Sequence, residues 1–318
     1  MGEGFTPLLA ADPGLRGLFV KVDYLMPTSS YKDRGAAVLM AKAHELGVRR
    51  AVCDSSGNAG VALAAYAARA GIECSVYVPA SAKAQKVQQM AEHGAQVHLI
   101  QGIREDAAKA AIEAMEQGDV FYASHIYNPF FFQGTKTYAF EIWEQLEGRA
   151  PDMLVVPVGN GTLLLGPYYG FQELLAAGLI EHMPRILAVQ AENCAPLARA
   201  FQERAEVAHP LQNKGTVAEG IAIAAPARSR QILAAVRQTQ GTMMTVTEAD
   251  IVEERRRLAR QGLYVEPTAA VASAGLSAYL RQSDQTPPLV SREALRTGTH
   301  IAVIALTGSG LKASSSLQ

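Results

Sequence analysis

One lysine stands in a setting where it could do covalent chemistry. Lys32 lies in residues 27–35 (PTSSYKDRG), directly before an Ala-rich stretch of helical character. A charged lysine at a helix start is unfavourable against the helix dipole, whereas a neutral imine is not. Lysine amines form Schiff bases with carbonyl compounds. The segment therefore indicates a Schiff-base lysine, with a surface lysine beside Asp33 as the alternative.

Three further segments have the composition of ligand-binding turns. Residues 54–60 (DSSGNAG) offer hydroxyls, an amide and helix N–H groups suited to a carboxylate, or else a capped helix start. Residues 158–163 (VGNGTL) could cradle a phosphate with backbone N–H groups, or form a tight strand-helix turn. In residues 306–310 (LTGSG) a hydroxyl could meet a heteroaromatic nitrogen, or the segment could be only a turn. No Gly-Lys-Ser/Thr follows the second segment and no GxGxxG is present, so a nucleotide site is disfavoured.

Alternating strand and helix patterns position these segments. Apolar runs predict strands at 50–54, 74–79, 96–101, 119–124, 153–158, 185–191 and 300–306. Helical patterns lie at 33–46, 58–70, 83–93 and 104–116, each ending near a glycine. This alternation predicts an α/β fold with mostly parallel sheets, in which ligands bind at the carboxyl ends of strands.

Composition narrows the class of protein. The formal net charge is −1, which gives no basic excess for nucleic acid. No apolar stretch is long enough to span a bilayer, and the N-terminus lacks the pattern of a signal peptide. The three cysteines, Cys53, Cys74 and Cys194, show no metal-binding spacing and predict reduced thiols. We expect a cytoplasmic protein without a metal site.

In chain order, the segments resemble one enzyme family. Thr6-Pro7-Leu8 is followed by SYKDRG, SSGNAG, VGNGTLLLG, VEPTAA and LTGSGLK. This succession resembles the fold type II pyridoxal-5′-phosphate (PLP) enzymes, which include threonine synthases, serine/threonine dehydratases, and the cysteine synthase and tryptophan synthase β relatives. The resemblance covers residues 5–312. Two other classes stay open at this point, a PLP-binding protein without catalysis and a nucleotide-binding α/β protein.

The resemblance implies a role for each segment. Lys32 would hold PLP as a Schiff base and act as the mobile acid and base, Asn58 would bind the ring hydroxyl, and Thr307 would meet the pyridine nitrogen. The cofactor phosphate would be bound by Gly159, Asn160, Gly161, Thr162 and Leu163. The substrate carboxylate would face Ser55, Ser56, Gly57 and Ala59. A neutral hydroxyl at the pyridine nitrogen suits elimination and replacement at Cβ or Cγ of a small amino acid.

The family's architecture is a second expectation. It implies a tryptophan synthase β-like fold of two lobes, each with a mostly parallel sheet flanked by helices. We expect a small lobe at 37–134 inserted into a large lobe formed by 1–36 and 135–318, with the cofactor between them. A homodimer is usual in the family.

Threonine synthases are the closest in motif, and they convert O-phospho-L-homoserine to L-threonine and phosphate. Residues 127–137 (YNPFFFQGTKT) resemble theirs. They typically carry an Arg where this chain has Phe131, and an Asn-Ser pair where it has His125 and Ile126. Phe131 could instead wall an apolar substrate pocket or simply pack in the core. Lys136 and His125 are candidates to replace the missing phosphate contacts.

A dehydratase is the alternative within the family. Residues 216–222 (TVAEGIA) resemble a segment of dehydratases and serine racemases, with Glu for Asp. In that reaction Lys32 removes the α-proton, the β-hydroxyl leaves, and the enamine hydrolyses to a keto acid. A β-replacement on another unphosphorylated amino acid also fits.

Overall fold

The computed structural model describes residues 1–116, 118–282 and 290–312. Its helices are α1 (Lys32–Glu45), α2 (Asn58–Ala70), α3 (Ala84–Glu92), α4 (Arg104–Glu116), α5 (Pro129–Thr135), α6 (Thr137–Gln145), α7 (Thr162–Ala176), α8 (Pro196–Gln202), α9 (Ser229–Gln238), α10 (Glu248–Arg260), α11 (Pro267–Gln282) and α12 (Arg292–Thr297). Its strands are β1 (Leu8–Ala10), β2 (Leu18–Val22), β3 (Arg50–Cys53), β4 (Glu73–Pro79), β5 (Gln96–Ile100), β6 (Phe121–Tyr122), β7 (Met153–Pro157), β8 (Arg185–Ala191), β9 (Thr242–Val246) and β10 (Ala302–Leu306). None of these helices combines the length and apolar composition needed to cross a membrane.

The described residues divide into two compact units. The first unit holds residues 1–3 and 26–135, and the second holds 4–25 and 136–312. The main stretch of the first unit begins at Met26, whereas the expected small lobe begins at residue 37. The difference is the loop at 26–31 and the start of α1, a helix that packs against α2 and α5. The lobe bounds themselves stay a prediction.

The first unit is built on a parallel four-stranded sheet in the order β5-β4-β3-β6. Its core cluster joins the apolar face of α1 with α2 and the sheet, and includes Leu39, Val61 and Val76. Helix α2 ends at Gly71 in the left-handed conformation, as expected of a helix C-cap. All four strands point the same way, so their carboxyl ends share one edge.

The second unit is built on a six-stranded sheet in the order β1-β2-β10-β7-β8-β9. Strand β1 pairs antiparallel with β2, and the other pairs are parallel. Every residue of β7 and β10 is buried, since helices cover both faces of a parallel sheet. Helix α11 packs against β7, β8, β9 and β10. The predicted α/β class with mostly parallel sheets is thus confirmed.

One predicted strand is much shorter than expected. The sequence predicted a strand at 119–124, but only Phe121 and Tyr122 form β6. The side chain of Ser124 accepts hydrogen bonds from the backbone N–H groups of Ile126 and Tyr127, at 3.3 and 3.2 Å. A serine that bonds the backbone in this way starts a turn and ends the strand.

Candidate active site

In the first unit, Lys32 is the first residue of α1, as its setting in the sequence predicted. The side chain is half-buried. Its Nζ lies 4.6 Å from the ring centre of Tyr31 and 5.8 Å from that of Phe131. The neighbouring Asp33 accepts hydrogen bonds from Thr28, from its backbone N–H at 2.6 Å and from its hydroxyl. Asp33 is fully buried, and these two hydrogen bonds join it to the loop before α1.

The segment at 54–60 forms the turn from β3 to α2. Gly57 caps α2 and no side chain bonds the first N–H groups of the helix as a cap. A β-carbon on Gly60 would lie 2.0 Å from the backbone oxygen of Ser55, so only glycine permits this tight turn. Exposed N–H groups at a helix start are suited to an anion. The turn has the chemistry expected of a carboxylate site.

The other predicted residues of this turn lie on it in order. Ser55 and Ala59 are buried, whereas Ser56, Gly57 and Asn58 are half-buried. Asp54, just before them, accepts a hydrogen bond from the hydroxyl of Tyr122 at 3.0 Å. This bond links the carboxyl ends of β3 and β6, which are paired strands.

Phe131 and His125 form a pair beside α1. Phe131 is 0% exposed, and a β-carbon on Gly35 would lie 2.3 Å from its ring. The rings of Phe131 and His125 meet edge to face with their centres 6.0 Å apart. Phe131 thus lies in the core of the first unit, which favours core packing for its ring, and its role toward a substrate stays a prediction.

His125 is held in its neutral form. Burial lowers the pKa of its imidazole well below the usual value, and the charges of Lys32 and Arg104 lower it further. Its Nδ1 is buried and has no hydrogen-bond partner among the described residues. The sequence did not single out Arg104, because an isolated arginine at a helix start belongs to no motif.

In the second unit, the segment at 158–163 forms the turn from β7 to α7. Gly161 has a φ of 81°, and a β-carbon there would lie 2.5 Å from Ile232. A β-carbon on Gly159 would lie 3.0 Å from Ile221. The N-cap residue of α7 is Gly161, which has no side chain to cap the first turn of the helix. This cradle fits a phosphate group.

The remaining predicted residues of the cradle also have defined places. Thr162 and Leu163 are buried at the start of α7, and Asn160 is half-buried. Thr307 follows β10, which pairs with β7, so the fold brings it to the same sheet edge. Its Oγ1 is buried without a hydrogen-bond partner in the described part of the chain. An orphan hydroxyl at this edge fits the heteroaromatic nitrogen of PLP, so the residues present suit this cofactor.

Lys136 is not an available cation. Its Nζ pairs with Glu173 Oε1 at 2.5 Å within the second unit. The expectation that Lys136 could replace a missing phosphate contact loses support, because its charge is already balanced.

Comparison with known proteins assigns the class. A family model described as "Pyridoxal-phosphate dependent enzyme" matches residues 1–290. The chain belongs to this family of PLP-dependent enzymes. PLP is therefore its cofactor and it is a lyase of fold type II, as the sequence predicted.

Within the family, the chain is threonine synthase-like. It is 39% identical over 281 residues to the threonine synthase of Methanosarcina acetivorans, covering 86% of this chain and 69% of that protein. It is 37% identical over 287 residues to that of Methanocaldococcus jannaschii, covering 88% and 71%. The crystal structure of an L-serine ammonia-lyase from Rhizomucor miehei matches with a TM-score of 0.81 and 22% identity, over 96% of this chain and 93% of that chain. At 22% identity, this structural match establishes the fold alone.

Proposed function

We propose that the chain converts O-phospho-L-homoserine to L-threonine and phosphate. The observation that carries this proposal is the identity to threonine synthases over most of the chain, at 39% for the Methanosarcina acetivorans protein. Within the structure, it is supported by a lysine at a helix start and by two uncapped helix starts that suit anions.

Each group of residues would have its own role in this reaction. When bound, PLP would supply an electron sink for negative charge at the substrate's Cα. Lys32 would hold the cofactor covalently and would move the proton at Cα. The N–H groups at the start of α2 hold the substrate's α-carboxylate, and the turn at Gly159 and Gly161 holds the cofactor's phosphate. The hydroxyl of Thr307 would donate a hydrogen bond to the pyridine nitrogen without charging it.

The test is to follow phosphate release from O-phospho-L-homoserine and to assay threonine in the same tube. We expect stoichiometric threonine and phosphate from the PLP-loaded protein. Lys32→Ala should abolish turnover and the visible absorbance of bound PLP, and borohydride should fix the cofactor on Lys32 in the wild type. Lys42→Ala, on the same helix, is the matched control and should keep both. A wild type that binds PLP and releases no phosphate would contradict the proposal.

A second candidate is elimination from an unphosphorylated amino acid, which gives a keto acid and ammonia. The observation that favours it is the apolar Phe131 beside the neutral His125, where neither side chain supplies a charge for a phosphate. Keto acid formed from L-serine or L-threonine, with no turnover of the phosphorylated substrate, would establish this alternative.

A homodimer in the cytoplasm is the setting we propose for this activity. All three cysteines are free and buried, which supports a reducing compartment. Sedimentation of the purified protein would give the oligomeric state directly, and a monomer at micromolar concentration would contradict the dimer.

A further inference from the structure

The neutral pair of His125 and Phe131 leaves open which residue recognises the substrate's side chain. A phosphate or carboxylate is recognised by a charge-assisted hydrogen bond, best from a guanidinium. Phe131 is 0% exposed and cannot provide one. An anionic side-chain end of the substrate therefore needs a residue other than Phe131 to bind it.

Arg104 has an unusual place for a cation. It is the first residue of α4, where a positive charge opposes the helix dipole. The turn before it is fixed, because Asp106 accepts the N–H of Ile103 at 2.8 Å and a β-carbon on Gly102 would lie 2.2 Å from that carboxylate. The side chain is half-buried. Local stability therefore gives no reason for an arginine at this position.

Arg104 and His125 both lie at the carboxyl end of the four-stranded sheet. Arg104 follows β5 and His125 follows β6, which are the two outer strands of this parallel sheet. Helix α4 spans the strands between them, since it packs against β3, β4, β5 and β6. The charges of Arg104 and Lys32 both act on the imidazole of His125. The three side chains thus share one electrostatic environment.

Arg104 also makes no hydrogen bond or ion pair with any described residue. A half-buried guanidinium retains most of its five donors for a ligand when no carboxylate of the protein balances it. His125 adds a buried ring nitrogen that no described residue binds. Together they offer a cation and a neutral hydrogen-bonding group at the carboxyl end of the sheet, in the same electrostatic environment as Lys32.

We propose that Arg104 determines specificity by binding the anionic group at the end of the substrate's side chain, with His125 as a neutral hydrogen-bonding partner. This inference rests on the proposed function, because it assigns the side-chain subsite of the same amino-acid substrate. The substrate class is an L-amino acid with a terminal phosphate or carboxylate.

The experiment compares wild type, Arg104→Gln and Arg104→Lys, all loaded with PLP. The substrates are O-phospho-L-homoserine, L-homoserine, L-serine and L-threonine, and L-glutamate serves as a carboxylate-bearing ligand. We expect Arg104→Gln to lower kcat/KM for the phosphorylated substrate by about 10- to 150-fold, the range of one lost charge-assisted hydrogen bond. Arg104→Lys should recover part of this loss. Arg69→Gln, an exposed arginine of α2, is the matched control and should change nothing.

Binding provides a second measurement that does not depend on turnover. The Kd of each ligand follows from the change that it causes in the visible absorbance of bound PLP. A rise in Kd confined to O-phospho-L-homoserine identifies a phosphate subsite, and a rise confined to L-glutamate identifies a carboxylate subsite; either outcome supports the inference. Equal effects on charged and uncharged ligands, or none in Arg104→Gln, would overturn it. Failure of the proposed function is distinct, because it leaves wild type without turnover of O-phospho-L-homoserine.

Discussion

Thr307 shows how a single hydroxyl can indicate a ligand. Its Oγ1 is buried at the edge of the sheet and binds no other described residue. A buried hydroxyl without a partner costs about 1–3 kcal/mol of stability. Native proteins keep few such groups, and those that they keep often have a functional reason. The proposed bond to the pyridine nitrogen would provide this reason.

This role predicts opposite effects of one substitution on two properties. In the protein stripped of PLP, Thr307→Val removes the unsatisfied hydroxyl and should raise the free energy of unfolding by about 1–3 kcal/mol. The same change should weaken PLP binding, whereas Thr307→Ser should preserve it. Urea unfolding without cofactor and titration of the visible PLP absorbance measure the two effects.

Thr239 offers the matched control for this prediction. It is also buried in the second unit, but its hydroxyl donates to the backbone oxygens of Ala235 and Val236, each at 3.0 Å. Thr239→Val should therefore lower the stability of the protein without cofactor and leave PLP binding unchanged. If Thr307→Val also lowers that stability, the proposed role of the orphan hydroxyl is wrong.

At the scale of the element, α10 has a capping box that responds to pH. The hydroxyl of Thr247 accepts the N–H of Asp250 at 3.0 Å, and the Asp250 carboxylate accepts the N–H of Thr247 at 3.2 Å. The hydrogen bond from the Thr247 side chain lowers the pKa of Asp250 below its model-compound value of 3.8. Because the folded state depresses this pKa, the bond stabilises the protein above that value. The contribution is lost as the pH falls through the lowered pKa.

We therefore expect Thr247→Ala to destabilise the protein by about 0.5–2 kcal/mol at neutral pH. The difference from wild type should shrink as the pH falls below about 4 and on through the lowered pKa of Asp250. Thermal unfolding from pH 7 down to about pH 2 measures it. Asp250→Asn is the control. Because this variant lacks the carboxylate, its free energy of unfolding should change less with pH than that of wild type. A gap that stays constant across this range would show that the carboxylate does not contribute.

At the scale of the whole molecule, the second unit is assembled from two separate stretches of chain. Residues 4–25 supply β1 and β2, and 136–312 supply the rest. Lys21 on β2 is fully buried and donates to Glu141 Oε2 on α6 at 2.7 Å. It also donates to the backbone oxygen of Thr6 at 2.6 Å. This ion pair joins the two stretches inside the unit.

Breaking the pair from one side should be more harmful than removing it. Glu141→Leu leaves the ammonium of Lys21 buried without its carboxylate and should lower the free energy of unfolding by about 3–5 kcal/mol. The double variant Lys21→Met, Glu141→Leu should lose clearly less. Denaturant unfolding of both variants measures the difference. The exposed pair of Glu293 and Arg296 is the control, and Glu293→Gln should change little.

A double variant no more stable than Glu141→Leu would contradict this account of the buried charge. It would mean that the stability depends on the packing of the lysine stem rather than on pairing.

The burial of Lys21 shows why some strands could be predicted from the sequence and others could not. Strand β7 was predicted because its residues form a continuous apolar run. In the structure all of them are buried, as expected for a strand covered on both faces. Strand β2 (LFVKV) was not predicted, since Lys21 interrupts its apolar run and the partner that permits its burial lies far along the chain. Patterns of neighbouring residues cannot reveal a pair formed by distant segments.

The candidate site divides in the same way. Lys32 and the glycine turn at 158–163 were predictable because each lies in a short contiguous motif whose residue types indicate its chemistry. Arg104 was not, because its charge acts on His125 only in the folded chain, where segments distant in sequence share the carboxyl end of one sheet. The motifs therefore identified the cofactor, and the fold was needed to suggest the residue that selects a side chain.

The contact between Phe131 and Gly35 bears on how such an enzyme could exchange one substrate for another. The ring lies against the bare backbone of Gly35 in α1, so a longer side chain at residue 131 would require α1 to shift. Substitutions at residues 35 and 131 are therefore expected to depend on each other. Residue 104, half-buried at a helix start, carries no such packing constraint. A substitution at residue 104 would therefore change the preference for a substrate side chain without disturbing this core contact.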